Sequence, residues 1–131
     1  MHSHAFYALA SLVPLGVFIE GKMKKVYIAS PYTKGDVAVN VRRQLEVANH
    51  LMDFGFCPIV PLFTHFQHLV FPRKYEDWMA IDFEKIRGCD AFLRLDGESS
   101  GADREVKFAK ELNIKVYYKI IDLIKGEKDE S

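Results

Sequence analysis

Four short apolar runs alternate with stretches of helical period, and this alternation restricts the possible folds more than any other feature. The runs are K-V-Y-I-A (Lys25 to Ala29), C-P-I-V-P-L-F (Cys57 to Phe63), D-A-F-L-R-L (Asp90 to Leu95) and K-V-Y-Y-K-I (Lys115 to Ile120). Each is mostly apolar rather than strictly alternating, which is the pattern of strands covered on both faces. Between the first two, Asp36 to Phe54 sets Val37, Val41, Leu45, Ala48 and Met52 at helical spacing, with Asp36 as N-cap and Gly55 as stop. Glu76 to Arg87 reads as a second helix closed by Gly88, and a third helix starts at about Ala102. Thr64 to Lys74, rich in His and aromatic residues, reads as a long loop. Strands alternating with helices predict an α/β domain with a doubly wound, mostly parallel sheet and right-handed crossovers.

The 131 residues suffice for one domain with a real core, expected over residues 23–124. Residues 1–22 read as an N-terminal extension compatible with an upstream start codon. Their apolar run, Ala5 to Ile19, is short for a membrane span and lacks the basic residues that lead a signal peptide. Residues 125–131 read as a charged, frayed tail. Net charge is zero, so the chain has no electrostatic footprint for duplex nucleic acid or an anionic membrane. The two cysteines, Cys57 and Cys89, form no C-x-x-C motif and fit buried thiols in a reducing cytoplasm.

Candidate chemistry concentrates between Cys89 and Leu112, a strand, a polar Gly-bearing loop and a helix. Open parallel sheets place ligands at such strand ends. Glu105 shares a helix face with Ala102, Val106, Ala109 and Leu112, so a carboxylate interrupts an apolar stripe. The inexpensive explanations, a capping box or an i,i+4 ion pair, fall to Asp103 instead. Asp82 stands among Met79, Phe83 and Ile86, either as a second inward acid or as a flank residue paired with Lys85. Two inward acids suit glycosidic-bond chemistry. Ser99, Ser100 and Gly101 precede the helix, as a ligand-facing turn or as an ordinary Ser cap. His65 and His68 form H-x-x-H without a third ligand at metal spacing, so no metal is expected. Neither a phosphate loop of the G-x-x-x-x-G-K-[ST] type nor G-x-G-x-x-G is present.

V-Y-I-A-S-P-Y, D-F-E-K-I-R-G-C-D and D-G-E-S-S-G-A-D-R-E together resemble the nucleoside 2-deoxyribosyltransferase superfamily, which includes nucleoside 5′-monophosphate N-glycosidases. The resemblance covers about Lys24 to Ile120, and its most specific part is S-x-G-x-x-x-E at Ser99, Gly101 and Glu105. It implies a flavodoxin-like domain with a five-stranded parallel sheet, no cofactor, and assembly as a homodimer or higher homo-oligomer. It implies Glu105 as the nucleophile of a covalent sugar–enzyme intermediate, Asp82 as an assistant at the sugar or base, and Tyr27 as an orienting residue. Ser30, Pro31, Tyr32, Ser99 and Gly101 are the implied substrate contacts. Ser99 stands where the transferases carry Asp, and Ser there suits the monophosphate hydrolases, since Asp would repel a 5′-phosphate. Pro31 and Thr33 depart from the Ser and Arg that those hydrolases use in the first loop, leaving Lys34 as the nearby charge.

The reading that follows is hydrolysis of the N-glycosidic bond of a nucleoside 5′-monophosphate, chiefly deoxy, through a Glu105 adduct. The alternatives are base exchange by a deoxyribosyltransferase and a nucleotide-binding sensor without turnover. The expected partner is a small nucleotide or nucleoside, with no nucleic acid polymer and no membrane, in the cytoplasm.

Overall fold

The computed structural model describes residues 21–128. Its elements are β1 (Lys25–Ala29), α1 (Val37–Asp53), β2 (Cys57–Ile59), a 3₁₀ turn (Pro61–Thr64), α2 (His65–Val70), α3 (Tyr75–Arg87), β3 (Ala91–Arg94), α4 (Ser100–Glu111), β4 (Lys115–Tyr117) and α5 (Ile120–Lys128). The four strands are all parallel, in the order β2-β1-β3-β4. The order reverses between β1 and β3, as in doubly wound sheets that bind ligands at that switch point.

The sheet separates two cores. On one side Val26, Ile28 and Leu93 pack with Ala48 and Leu51 of α1 and Leu123 of α5. On the other, Tyr27, Ala29 and Phe92 pack with Ile86 of α3 and with Ala102 and Ala109 of α4. Alternate residues of β1 therefore serve opposite faces, and both faces are covered, which is why the run carries no charged residue after Lys25. Each fully buried Leu, Ile or Phe contributes about 1.5–3 kcal/mol from burial.

Local signals explain the helix ends. Asp36 Oδ1 accepts from Val39 N at 3.1 Å at the start of α1. Ser99 Oγ accepts from Ala102 N at 3.1 Å at the start of α4, which begins at Ser100 rather than Ala102. Gly88 caps α3, as expected.

Four expectations need correction. The described residues contain four strands, not five. The second strand stops at Ile59, because Pro61 lacks the N–H that the ladder needs and its fixed φ starts the 3₁₀ turn. The stretch 64–74 holds a helix, α2, whose residues are all outside the core and so show no apolar stripe. The last strand ends at Tyr117, and α5 runs through 128 instead of fraying at 125. Glu127 secures that end: it is buried, accepting from Tyr117 Oη at 2.6 Å and from Lys24 Nζ at 3.3 Å. The extension expected at 1–22 lies, through residue 20, outside the described residues, as does 129–131. No helix among the described residues is long and apolar enough to cross a membrane.

Candidate functional site

A cleft of about 520 Å³ opens where the chain leaves the carboxyl ends of β1, β2 and β3, a volume suited to a small organic ligand. Its floor holds three polar side chains from three elements. Tyr27 of β1 is fully buried, stacks on Phe92 at 5.3 Å, and donates from Oη to Glu105 Oε2 at 3.0 Å. Glu105 of α4 is 6% exposed. Asp82 of α3 is hydrogen-bonded to Glu105, and both carboxyls border the cleft.

Burial is the main influence on all three. It pushes the Glu105 carboxyl well above the ordinary carboxylate range, and the Asp82 charge pushes the same way; the Tyr27 hydroxyl and the Arg94 charge oppose them. Asp82 is also raised, first by burial, against the hydrogen bonds and the Lys85 charge that favour its ionised form. Two hydrogen-bonded carboxyls in an apolar setting retain one proton between them more readily than they ionise together. Tyr27 is raised well above its usual value by burial and by the two acids, so it remains a donor. Lys85, the alternative partner of Asp82, contributes charge without drawing the carboxyl out of the cleft.

The turn after β1 is held from behind. Ser30 is buried at the cleft wall, and its Oγ accepts from Gln44 Nε2 at 2.8 Å. Gln44 also donates to Ile28 O at 3.1 Å and accepts from Leu62 N at 3.2 Å, clamping the β1 turn to the 3₁₀ turn. Tyr32 lines the cleft, with its hydroxyl 2.6 Å from His65 Nδ1. Pro31 does not line it. Gly97 has φ +114°, and a Cβ there would lie 2.7 Å from Pro31 Cγ, so Pro31 packs beneath the opposite loop.

Ser99 and Gly101 border the cleft where α4 begins. Ser99 fulfils the capping role and faces the cleft at once. Gly101 permits close approach of α3: a Cβ at this position would sit 3.0 Å from Tyr75 Oη and 3.8 Å from Met79 Sδ. The bidentate pair of Arg104 with Glu76, at 2.9 and 3.2 Å, joins the same two helices outside the cleft.

Several lining residues carried no motif. Arg73, Trp78 and Tyr75 form one wall together with His68 of the H-x-x-H pair. His68 Nδ1 accepts from Trp78 Nε1 at 2.8 Å and from Arg73 N at 3.3 Å, which leaves the proton of the neutral ring on Nε2. Gln44 could have been found: with Val41 at i−3 and Ala48 at i+4 it interrupts an apolar stripe as Glu105 does. No three His, Cys, Asp or Glu side chains among the described residues converge as a metal cage requires.

One family model, described as "Domain of unknown function (DUF7768)", matches residues 24–119. Among solved structures, a 2-deoxyribosyltransferase from the psychrotolerant bacterium Bacillus psychrosaccharolyticus is similar to this chain with TM-score 0.48 and 22% identity, covering 70% of this chain and 69% of that one. None of the curated proteins matches it.

Proposed function

The chain belongs to the family described as "Domain of unknown function (DUF7768)", and we propose that it cleaves the N-glycosidic bond of a nucleoside 5′-monophosphate through a covalent adduct on Glu105. The observation that carries this reading is the Tyr27–Glu105–Asp82 cluster, a donor and two proton-sharing carboxyls at the floor of a ligand-sized cleft.

The chemistry balances within that cluster. Glu105, relieved of the shared proton, attacks the anomeric carbon as the bond to the base breaks. The proton passes through Asp82 to the departing base, so the base leaves neutral. Water then attacks the adduct with Asp82 taking its proton, and Glu105 is regenerated. Tyr27 holds Glu105 in place and stabilises its carboxylate form. The Trp78 and Tyr75 rings offer apolar faces for a base, while Lys34 and Arg73 at the cleft are paired with Glu98 at 3.4 Å and Asp77 at 3.2 Å, so a 5′-phosphate would take those cations in exchange for their present partners.

Base exchange is the second reading, because a Glu105 adduct can be resolved by an incoming base as well as by water. A panel of ribo- and deoxynucleosides and their 5′-monophosphates, assayed for released base with and without an acceptor base, separates the readings. Release from monophosphates without acceptor is expected. Release only with acceptor assigns a transferase, and binding without release in any mixture assigns a sensor.

Self-association belongs to the same proposal. Phe63, Phe66, Leu69, Val70 and Phe71 are all exposed in one run beside the cleft, an apolar concentration larger than scattered surface residues create. Light scattering that gives only the 15.1 kDa monomer across micromolar concentrations would remove this part. The free thiols of Cys57 and Cys89 fit a reducing, cytoplasmic setting.

A further inference from the structure

The two histidines of the H-x-x-H pair have no part in the proposed reaction, and the structure sends them to different places. His65 Nδ1 lies 2.6 Å from Tyr32 Oη. Of the two, His68 lines the cleft, half-buried on the wall with Arg73, Tyr75 and Trp78. Its ring stands beside Trp78, with centroids 5.8 Å apart and planes at 74°.

Two hydrogen bonds converge on His68 Nδ1, from Trp78 Nε1 at 2.8 Å and from Arg73 N at 3.3 Å. An indole N–H and a backbone N–H can only donate, so Nδ1 accepts and the proton of the neutral ring sits on Nε2. Moving that proton to Nδ1 would set three N–H groups against one another and forfeit both hydrogen bonds. A second proton on the ring would leave Nε2 a donor as before. Nε2 is therefore held as a donor, and it has no hydrogen-bond partner among the described residues.

We propose that His68 is a specificity-determining residue of the cleft: its Nε2–H donates to a carbonyl oxygen on the edge of the base, so the site takes oxo bases in preference to amino bases. The inference rests on the reading of the cleft as a nucleotide site and names the class of base that site selects. Trp78 and His68 stand side by side, so a base laid against the indole has an edge beside the imidazole. A carbonyl oxygen there satisfies the donor. The N–H₂ group of an amino base sets a second donor against it, and a site built around one hydrogen bond discriminates against a ligand that leaves it unpaired. A phosphate oxygen could also accept from Nε2, but an anion is better served by the cations Lys34 and Arg73, whereas a neutral donor beside an aromatic face suits a carbonyl.

The test measures binding rather than turnover, by titration calorimetry of the full chain carrying Glu105→Gln so that bound nucleotide is not consumed. The probes are two size-matched pairs of 5′-monophosphates, deoxyinosine with deoxyadenosine and deoxyuridine with deoxycytidine, together with the four nucleosides. The oxo member of a pair is expected to bind about tenfold more tightly than its amino partner. Adding His68→Phe keeps a ring beside Trp78 and is expected to bring the preference within about twofold, by weakening the oxo member alone. No residue of α2 belongs to the core, so this variant is expected to fold, and the preference of the chain with His68 intact is decisive without it. Equal binding of oxo and amino partners would overturn the proposal, as would a preference that survives His68→Phe. Weakening of all four monophosphates with the nucleosides unaffected would also overturn it, and would assign His68 to the phosphate. ¹⁵N NMR of histidine-labelled wild type, with His68 assigned by disappearance in His68→Phe, is expected to show Nε2 protonated; a proton on Nδ1 would remove the premise. The two readings fail separately. An oxo preference without base release from wild type sinks the reaction and leaves the role of His68 standing, whereas base release without that preference sinks only the role of His68. If no nucleotide or nucleoside binds, both fall.

Discussion

The hydroxyl of Tyr27 and the carboxylate oxygen of Glu105 lie 3.0 Å apart, although 78 positions separate the two residues in the chain. One comes from β1, one of the two inner strands of the sheet, and the other from a helix that follows β3. A phenol with no exposed surface thus donates to a nearly buried carboxyl, with a second carboxyl hydrogen-bonded alongside. Such a cluster is costly to bury, and its mutual hydrogen bonds offset part of that cost.

Replacing the proposed nucleophile, Glu105, should separate stability from activity. Glu105→Gln keeps an acceptor for Tyr27 and gains a donor for Asp82, so the fold is retained, while base release falls at least about a thousandfold. The Glu105 pKa is raised in the folded state, so its contribution to stability is full below the ordinary carboxylate range and is lost as pH rises through the folded value. Urea melts are expected to show the variant gaining on wild type between pH 4 and pH 8. A difference that stays constant across this range would mean that Glu105 is not titrating as described.

The core pattern was legible because both faces of the sheet are covered: the apolar runs at Lys25 and Asp90 became β1 and β3 with little change. Glu105 was legible for a related reason, since a carboxylate among Ala102 and Ala109 violates the helix's own stripe. The apolar run predicts a longer strand than β2 because Val60 to Phe63 is as apolar as a strand, and the ring of Pro61 redirects it. Helix α2 was invisible because none of its residues is buried, so it has no periodic face. The resemblance implies Pro31 as a substrate contact together with its motif neighbours, yet its ring packs against Gly97. A motif states which residues occur together and not which way each one faces.

The two partners of Glu105 should displace its titration in opposite directions. Asp82→Asn removes a negative charge that disfavours the Glu105 carboxylate, so the acid limb of the rate profile moves to lower pH. The variant also lacks the proposed proton donor, and the maximal rate is expected to fall about 10²–10⁴-fold. Tyr27→Phe keeps the stacking on Phe92 and deletes the hydrogen bond, so the acid limb moves to higher pH. A charge-assisted hydrogen bond of about 1.5–3 kcal/mol corresponds to a rate loss of roughly ten- to hundredfold. Full pH–rate profiles of both variants check the signs, and displacements of the same sign would contradict the cluster.

Gly101→Ala should narrow the cleft without harming the helix. The added methyl meets Tyr75 Oη at 3.0 Å, and Tyr75 is exposed enough to swing outward. Ala in the first turn of α4 favours the helix by up to about 1 kcal/mol. Thermal melts are therefore expected to stay level or rise, while KM for the released-base substrate rises several-fold with kcat nearly unchanged. A fall in kcat at constant KM would place Gly101 nearer the reacting atoms than the cleft wall.

Gly97→Ala tests the contact that the sequence did not reveal. Gly97 has φ +114°, which an L side chain rarely adopts, and the new Cβ would stand 2.7 Å from Pro31 Cγ. The backbone strain alone costs about 1–3 kcal/mol, and the clash adds to it. Relief must come by moving the turn after β1, which carries Ser30, or the turn that Arg94 holds through Gly97 O. Both border the Glu105 centre, so activity is expected to fall with stability. Pro31→Ala in the same chain removes the ring and not the strain. In a double-mutant cycle it should restore part of the stability lost by Gly97→Ala, because the two positions share one contact. Strict additivity of the two changes would show that strain at Gly97, and not the packing of Pro31, sets the distance between the two loops.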